Sequence, residues 1–178
     1  MISQQEAQTK AKKIKLLILD VDGVLTDGCL FYGATGEAYK AFHVHDGLGI
    51  KLLQQNGVKV AIITSRSSDI VKQRMQDLGV AHVYQGQKEK LPAFKDLIQQ
   101  LKLTADQVAY AGDDLPDLPV LKKVGLSIAV ANAHPLVSQE AMLLTKTTGG
   151  KGAVREICEF ILQAQGKLDS VYQHYLNN

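Results

Sequence analysis

The sequence predicts an α/β fold in which a mainly parallel sheet lies between two layers of helices, as in Rossmann-like proteins. Short apolar runs of strand character alternate with segments of helical periodicity, which is typical of βαβ units. Several of these runs end directly in carboxylate or hydroxyl side chains, as strands do where open α/β sheets bind ligands. The chain has 178 residues, and this length suits a single domain over residues 1–178.

Apolar runs bounded by turn residues predict six core strands, at residues 14–20, 58–63, 82–84, 108–111, 126–130 and 142–144. Helical periodicity and capping signals predict four helices, at residues 46–56, 67–78, 91–103 and 153–165. Between the first strand and the first helix, two short β-rich pieces around a glycine-containing turn predict a β-hairpin over residues 28–42. Residues 166–178 are given no element and are expected to form a flexible tail.

The composition is that of an ordinary globular protein, since 46% of the residues are hydrophobic and 21% are charged. The net charge is only +2, so neither nucleic acid nor a membrane surface is an expected partner. The polar first residues predict that there is no signal peptide. The two cysteines are far apart in the sequence and are expected to stay reduced. We therefore expect a cytoplasmic protein.

Polar side chains collect where the predicted strands end. Asp20 and Asp22 follow the first strand, Thr64 follows the second, and Asp113 follows a later one. Two buried carboxylates repel each other, and a cation between them relieves the repulsion. Mg²⁺ prefers oxygen ligands and is commonly held by one or two carboxylates together with a substrate phosphate. The pattern therefore predicts a Mg²⁺ site that supports phosphoryl transfer.

Four motifs, in this order, resemble those of the haloacid dehalogenase superfamily of phosphatases. They are the run from Asp20 to Thr26, Thr64 at a strand end, a lysine placed at Lys90, and the run from Gly112 to Asp117. As a set they are highly specific, and they span most of the chain. The resemblance implies a haloacid dehalogenase-like fold and a Mg²⁺-dependent phosphatase.

The resemblance also implies a role for each residue. Asp20 is the nucleophile that forms an aspartyl-phosphate. Asp22 is the general acid for the leaving oxygen and then the general base for water. Thr64 and Lys90 bind the phosphate. The Mg²⁺ ligands are Asp20, Asp113 and Asp22, the last through its main-chain carbonyl.

Some assignments stay open at this point. Lys88 is the alternative to Lys90, which is favoured because it directly precedes a predicted helix. Asp114 and Asp117 belong to the fourth motif, and each is either a helix cap or a support for the metal ligands.

The chain length and the runs at residues 42–47, 63–66 and 149–156 resemble those of one branch of the superfamily. This resemblance implies that the substrate is a phosphorylated eight-carbon keto-acid sugar of lipopolysaccharide synthesis. Its carboxylate needs basic anchors, which we expect among Lys51, Arg66 and Arg74. Asp22 and Lys90 are also expected to contact the substrate. The resemblance places a neighbouring segment in the same pocket, which consists of His43, Val44, His45, Asp46 and Gly47. We expect His43 and His45 to share one face of a strand, and Asp46 to cap the helix that follows.

The intervals between the four motifs are filled by the predicted elements, so they leave no room for a separate cap domain. The hairpin over residues 28–42 takes its place. The apolar residues 30–32 at its tip are typical of an interface. The glycine-rich segment 149–152 is expected to be a flexible loop that reaches another subunit. The resemblance implies a homotetramer in which neighbouring chains complete the site.

Two alternatives remain. The first is a phosphatase of the nine-carbon acylneuraminate 9-phosphates, which are also phosphorylated keto-acid sugars. The second is a non-catalytic phospho-receiver, which also uses clustered aspartates and Mg²⁺ on a parallel sheet. Asp22 disfavours a receiver, because a receiver must keep its aspartyl-phosphate whereas an acid/base neighbour promotes turnover.

Overall fold

The computed structural model of the chain describes residues 2–177. The strands are β1 (Leu16–Leu19), β2 (Phe31–Gly33), β3 (Gly36–Tyr39), β4 (Lys59–Ile63), β5 (His82–Tyr84), β6 (Val108–Gly112), β7 (Leu126–Ala129) and β8 (Leu143–Leu144). The helices are α1 (Gln4–Ala11), α2 (Val44–Gln55), α3 (Asp69–Asp77), α4 (Lys90–Gln100), α5 (Leu118–Leu121), α6 (Pro135–Glu140), α7 (Ala153–Ala164) and α8 (Leu168–Leu176). Two 3₁₀ turns span Ala105–Gln107 and Leu115–Asp117.

Six strands form one sheet in the order β5-β4-β1-β6-β7-β8, and every neighbouring pair in it is parallel. The strand order changes direction at β1, which pairs with β4 on one side and β6 on the other. Such a switch point opens a crevice at the carboxyl ends of the strands, where ligands bind in open α/β sheets. The predicted fold class is confirmed.

Helices cover both faces of the sheet, and the alternation of side chains along β1 shows how. Leu17 and Leu19 belong to a core cluster that also contains residues of α1, α2, α3 and α7. Leu16 and Ile18 belong to a second cluster that contains residues of α4, α5 and α6. Successive side chains of a strand point to opposite faces, so an uninterrupted apolar strand must be covered on both sides. This produces the three-layer arrangement.

The predicted helices exist, but the starts of three differ from the prediction. α2 begins after His43 rather than after Asp46, and α3 follows Ser68 rather than Ser67. The hydroxyl of Ser68 is placed to accept a hydrogen bond from the amide of Val71, and this caps the helix. α4 begins at Lys90, one residue before the predicted start.

Four helices were not predicted, because their apolar faces are short. These are α1, α5, α6 and α8. The expected flexible tail over residues 166–178 is wrong for the part within α8, where Val171 joins the core; residue 178 lies outside the described residues. Among residues 2–177, no helix combines the length and the apolar character needed to cross a membrane.

The predicted hairpin is confirmed as β2 and β3, which pair antiparallel in a separate two-stranded sheet. The rings of Phe31 and Tyr39 stack across it with centroids 4.4 Å apart. Leu30, Tyr32 and Tyr39 are exposed. The hairpin leaves the sheet just after β1, so it stands beside the edge at which the strand-end carboxylates lie.

Candidate active site

Three neighbouring strand ends meet at one edge of the sheet. Asp20 follows β1, Thr64 follows β4 and Asp113 follows β6. Their side chains help to surround a cavity of about 270 Å³. Its wall consists of six predicted site residues, Asp20, Asp22, Thr64, Arg66, Lys90 and Asp113, together with Gly28, Ser65, Asp114, Pro116 and Asp117. The structure therefore assembles the predicted catalytic centre within one chain.

Lys90 lies at the bottom of this centre between two carboxylates. Its ammonium is 2.9 Å from Oδ1 of Asp20 and 2.7 Å from Oδ1 of Asp117, and the side chain is 2% exposed. Burial alone would lower the pKa of Lys90, but the two carboxylates outweigh it and raise the pKa. Lys88 is exposed. The geometry thus favours Lys90 over Lys88 as the positive charge of the site.

Asp20 and Asp113 lack enough positive charge around them. Burial, followed by repulsion from Asp117, raises the pKa of Asp20 to about 6. Burial, followed by repulsion from Asp20, raises the pKa of Asp113 to about 8. Oδ1 of Asp20 is paired with Lys90, whereas the buried Oδ1 of Asp113 has no hydrogen-bond partner within residues 2–177. Carboxyl oxygens of Asp20, Asp113 and Asp117 lie within 4.8 Å of one another. These oxygens form a donor set that suits a hard cation such as Mg²⁺.

Asp117 supports the other two aspartates, and its carboxylate is fully used by the protein. Oδ1 accepts hydrogen bonds from Lys90 Nζ at 2.7 Å and from the Tyr110 hydroxyl at 2.6 Å. Oδ2 accepts from the amides of Asp113 at 2.9 Å and Asp114 at 3.2 Å. Asp117 therefore fixes the loop that carries Asp113, which leaves Asp20 and Asp113 to face a cation. The prediction had left this role open, and it had missed Tyr110 because that residue lies inside an apolar strand.

The side chain of Asp113 leaves room only for a glycine in the loop after β1. Gly23 has φ +93°, and a Cβ there would lie 2.0 Å from Oδ2 of Asp113. Gly149 packs closely against the same loop, because a Cβ added to Gly149 would lie 1.7 Å from the carbonyl oxygen of Gly23. Asn132 joins the two, since it accepts from the amide of Gly149 at 2.6 Å and donates to that carbonyl at 3.3 Å. The segment 149–152, expected to be flexible, is instead packed against its own chain around the catalytic loop.

Asp22 points toward the hairpin, where sequence reasoning found no partner for it. Its Oδ1 accepts a short hydrogen bond from Lys40, and its Oδ2 lies 3.6 Å from Nε of Arg66. Lys40 also pairs with Glu37 at 2.9 Å. Lys40 and Glu37 were missed because neither lies at the end of a core strand.

The other predicted substrate-binding residues lie outside the cavity wall. His43 caps α2, and its Nδ1 accepts from the amide of His45 at 3.3 Å. The two rings meet edge to face at the start of a helix, with centroids 4.8 Å apart, so the expected strand face is wrong. Val44 is 73% exposed, and Lys51 is exposed on the third turn of the same helix.

Asp46 does not cap its own helix as predicted. Its side chain is buried, and Oδ1 accepts a hydrogen bond from the amide of Arg155 at 2.8 Å, in the first turn of α7. Burial raises the pKa of Asp46. Gly47 packs closely against Arg74, because a Cβ there would lie 2.4 Å from Nη2 of that residue. Arg74 also lies over the ring of Phe42, with 5.8 Å from its Cζ to the ring centroid.

Comparison with known proteins supports a phosphatase active site at this edge of the sheet. Residues 79–157 match the model of the haloacid dehalogenase-like hydrolases, which covers the strand and loop that carry Asp113. The chain is a phosphatase of the haloacid dehalogenase superfamily, and its fold is that of these enzymes. The phospho-receiver alternative is thereby excluded.

Proteins of similar sequence and structure show to which family of phosphatases the chain belongs. A 3-deoxy-D-manno-octulosonate 8-phosphate phosphatase of Salmonella typhi is 55% identical over 161 residues, covering 90% of this chain and 86% of that protein. The structure of such a phosphatase from Moraxella catarrhalis, solved with magnesium, phosphate and the KDO molecule, has a TM-score of 0.95 at 44% identity and covers 97% of this chain and 99% of its own. The cobalt-bound enzyme of Haemophilus influenzae has a TM-score of 0.88 at 50% identity, covering 89% and 93%. The chain belongs to the family of the 3-deoxy-D-manno-octulosonate 8-phosphate phosphatases.

Proposed function

We propose that the chain hydrolyses 3-deoxy-D-manno-octulosonate 8-phosphate to the free sugar acid and phosphate, with Mg²⁺, as a step of lipopolysaccharide biosynthesis. The observation that carries this proposal is the pair of aspartates Asp20 and Asp113. They line a cavity that also holds Asp22, Thr64 and Lys90, and Oδ1 of Asp113 has no hydrogen-bond partner within residues 2–177. The identity of the substrate is inferred from the names of the similar proteins.

Asp20 attacks the phosphorus atom, so that the bond from phosphorus to the sugar oxygen breaks and an aspartyl-phosphate forms. Asp22 donates a proton to the departing sugar oxygen. It then accepts a proton from the water that attacks the aspartyl-phosphate, and this releases phosphate and restores Asp20. The two carboxylates thus take different roles because they have different surroundings. Asp20 lies beside Lys90 at the end of β1, and Asp22 lies beside Lys40 at the hairpin.

Thr64 and Lys90 hold the phosphate in line with Asp20. An ammonium has three N–H donors, and Lys90 directs two of them toward Asp20 and Asp117. The third donor is available for a phosphate oxygen. Thr64 lies at the end of β4, and its hydroxyl adds a neutral donor at the same edge.

The residues present fit Mg²⁺, because Oδ1 of Asp113 has no hydrogen-bond partner within residues 2–177 and Lys90 balances only part of the negative charge of Asp20, Asp113 and Asp117. Their side chains, with the main-chain carbonyl of Asp22, would hold the ion. When bound, Mg²⁺ neutralises charge on the phosphate oxygens and on the two carboxylates. The cost of keeping two aspartates ionised in a buried place then falls.

The substrate carboxylate binds Arg66, whose guanidinium lies at the open side of the cavity. His43, Val44, His45, Lys51 and Arg74 contribute around the rim, where a neighbouring chain would bring them into reach. Asp46 and Gly47 are buried and support this segment from beneath. The chain forms a homotetramer in the cytoplasm. Support for assembly comes from the exposed apolar residues Leu30, Tyr32 and Tyr39 of the hairpin.

A phosphate-release assay tests the proposal. 3-Deoxy-D-manno-octulosonate 8-phosphate and an acylneuraminate 9-phosphate are compared at equal concentration, with Mg²⁺ and with EDTA. We expect Mg²⁺-dependent release that prefers the eight-carbon substrate, and loss of at least about a thousand-fold in Asp20→Asn. A preference for the nine-carbon substrate, or activity that survives in Asp20→Asn, would overturn the proposal. Analytical ultracentrifugation tests the assembly, and a fully active monomer contradicts it.

A further inference from the structure

Lys40 is an unusual lysine, because it follows an exposed two-stranded hairpin and is nevertheless buried. Its side chain is 1% exposed. The ammonium contacts two carboxylates, Asp22 Oδ1 in a short hydrogen bond and Glu37 Oε1 at 2.9 Å. A buried ammonium is stable only when such partners neutralise it. The ion pair thus ties the hairpin to the residue that the proposed function makes the acid/base.

The contact uses one oxygen of Asp22 and leaves the other for chemistry. Lys40 binds Oδ1, whereas Oδ2 accepts no hydrogen bond from the protein between residues 2 and 177. Nε of Arg66 lies 3.6 Å from Oδ2, and Nε itself is buried without a hydrogen-bond partner within residues 2–177. A carboxyl group held at one oxygen is less free to rotate. Its second oxygen is then aimed before the substrate arrives.

Glu37 in turn holds Lys40 from the other side. Its Oε2 accepts a short hydrogen bond from the hydroxyl of Ser68, which also caps α3. Its Oε1 lies 3.7 Å from Nη2 of Arg66. Lys40 is therefore fixed between a carboxylate anchored on α3 and the carboxylate of Asp22. This arrangement gives Lys40 a defined position although the hairpin strands are only three and four residues long.

We infer that Lys40 is a positioning residue for the acid/base Asp22, and that Glu37 fixes Lys40 in turn. The inference rests on the proposed function, since it assigns the task of protonating the leaving oxygen to Asp22. Lys40 acts through Asp22, because its ammonium is enclosed by the two carboxylates and does not line the cavity. Misplacing an acid by about 1 Å can slow a reaction about 100-fold.

The test compares two leaving groups in single turnovers with the enzyme in excess over the substrate. Release of the sugar acid needs a proton from Asp22, whereas p-nitrophenolate is a stable anion that leaves without one. In Lys40→Met we expect release of the sugar acid to slow by about 30- to 100-fold and that of p-nitrophenolate by less than about fivefold. KM, measured separately in steady-state assays with substrate in excess, should change little. Lys72→Met, on the exposed face of α3, is the matched control and should behave like the unaltered enzyme.

A double-mutant cycle separates positioning from a general structural effect. If Lys40 acts through Asp22, adding Lys40→Met to Asp22→Asn should slow the sugar-acid release by less than about twofold more. Glu37→Gln, which keeps the shape of the side chain, should show the same leaving-group pattern with a smaller loss. It serves as the test variant if Lys40→Met lowers Tm to the assay temperature.

Equal loss with both leaving groups, a loss confined to KM, or additive effects in the cycle would each overturn the inference. If Lys40→Met matches Lys72→Met while the unaltered enzyme is active, the inference fails and the proposed function stands. If the unaltered enzyme releases neither product in the presence of Mg²⁺, the proposed function itself fails.

Discussion

The sheet edge and the hairpin both place charged groups at the same cavity, but they hold them in different ways. At the edge, Asp20, Lys90 and Asp117 are almost completely buried, and Lys90 and the amides of the loop after β6 hold the two carboxylates. On the hairpin, Glu37 belongs to β3 and Lys40 follows it, while Tyr32 and Tyr39 are exposed. An isolated hairpin is only marginally stable, so these charges depend on contacts with the rest of the chain.

This difference divides the proposed chemistry. The residues that attack and bind phosphate belong to the rigid edge, and the contacts that orient the acid/base belong to the hairpin. Changes at the edge should therefore affect every substrate. Changes on the hairpin should depend on the leaving group or on assembly.

The largest effect is expected when the buried charge at the edge is removed. Lys90→Met leaves Asp20 and Asp117 facing each other without a cation, and breaking a buried pair costs about 3–5 kcal/mol. We expect phosphatase activity to fall at least about 100-fold with every substrate, and Tm to fall as well. Lys88→Met is the control, because Lys88 is exposed two residues earlier. An active Lys90→Met enzyme would show that this lysine is not part of the centre.

The second prediction concerns the outer side of the hairpin. Leu30 is 42% exposed, and Leu30→Asp would place a charge in the proposed subunit contact. Sedimentation should then show smaller species, with activity reduced by about tenfold as the rim of the site is lost. Leu136→Asp introduces the same change at a residue that is 41% exposed on α6, and it should leave the assembly intact. Identical sedimentation of the two variants would place the contact elsewhere.

The third prediction is a pH dependence of stability that arises at the edge. The pKa values of Asp20 and Asp113 are raised from 3.8 to about 6 and about 8. The folded chain therefore binds more protons than the unfolded chain in this range, and its stability falls as the pH rises from about 4 to about 8. In EDTA, Tm should fall between about pH 5 and pH 8, by roughly 2–4 °C per kcal/mol lost.

Mg²⁺ should reduce the fall of Tm with rising pH, because the ion stabilises the ionised carboxylates. In EDTA, Asp113→Asn should also reduce the fall of Tm, since the variant removes one of the two titrating groups. Thermal denaturation followed by circular dichroism measures both effects. A Tm that rises with pH over the same window in EDTA would contradict the assigned charge balance.

The smallest effect is expected for Tyr110→Phe. The change removes one hydrogen bond to Asp117 Oδ1 and leaves the contact with Lys90 in place. Loss of a buried hydrogen bond of this kind costs about 1–3 kcal/mol, and activity should fall only a few-fold. Chemical denaturation and steady-state kinetics report the two quantities. A loss as large as that of Lys90→Met would mean that the hydroxyl has a direct role.

Much of the sheet edge could be predicted from sequence because it follows a short-range rule. A buried strand that ends in carboxylates puts them at the carboxyl edge, and that edge is shared by all parallel strands. Asp20, Thr64 and Asp113 were identified in this way, whereas Lys90 was identified from the resemblance to the superfamily motifs. The helix starts were less certain, since several polar residues compete to cap each helix. Asp46 shows this, because its carboxylate caps α7 and not its own helix.

The sequence by itself determined the layered fold, the catalytic edge and the place of the hairpin, because hydrophobic periodicity and strand ends are local properties of the chain. Only the tertiary structure decided that Lys40 holds Asp22, that Asp117 supports Asp113, and that Gly149 packs against Gly23. These contacts join residues from separate elements. Such pairings depend on how the elements pack in three dimensions, and spacing along the chain does not encode them.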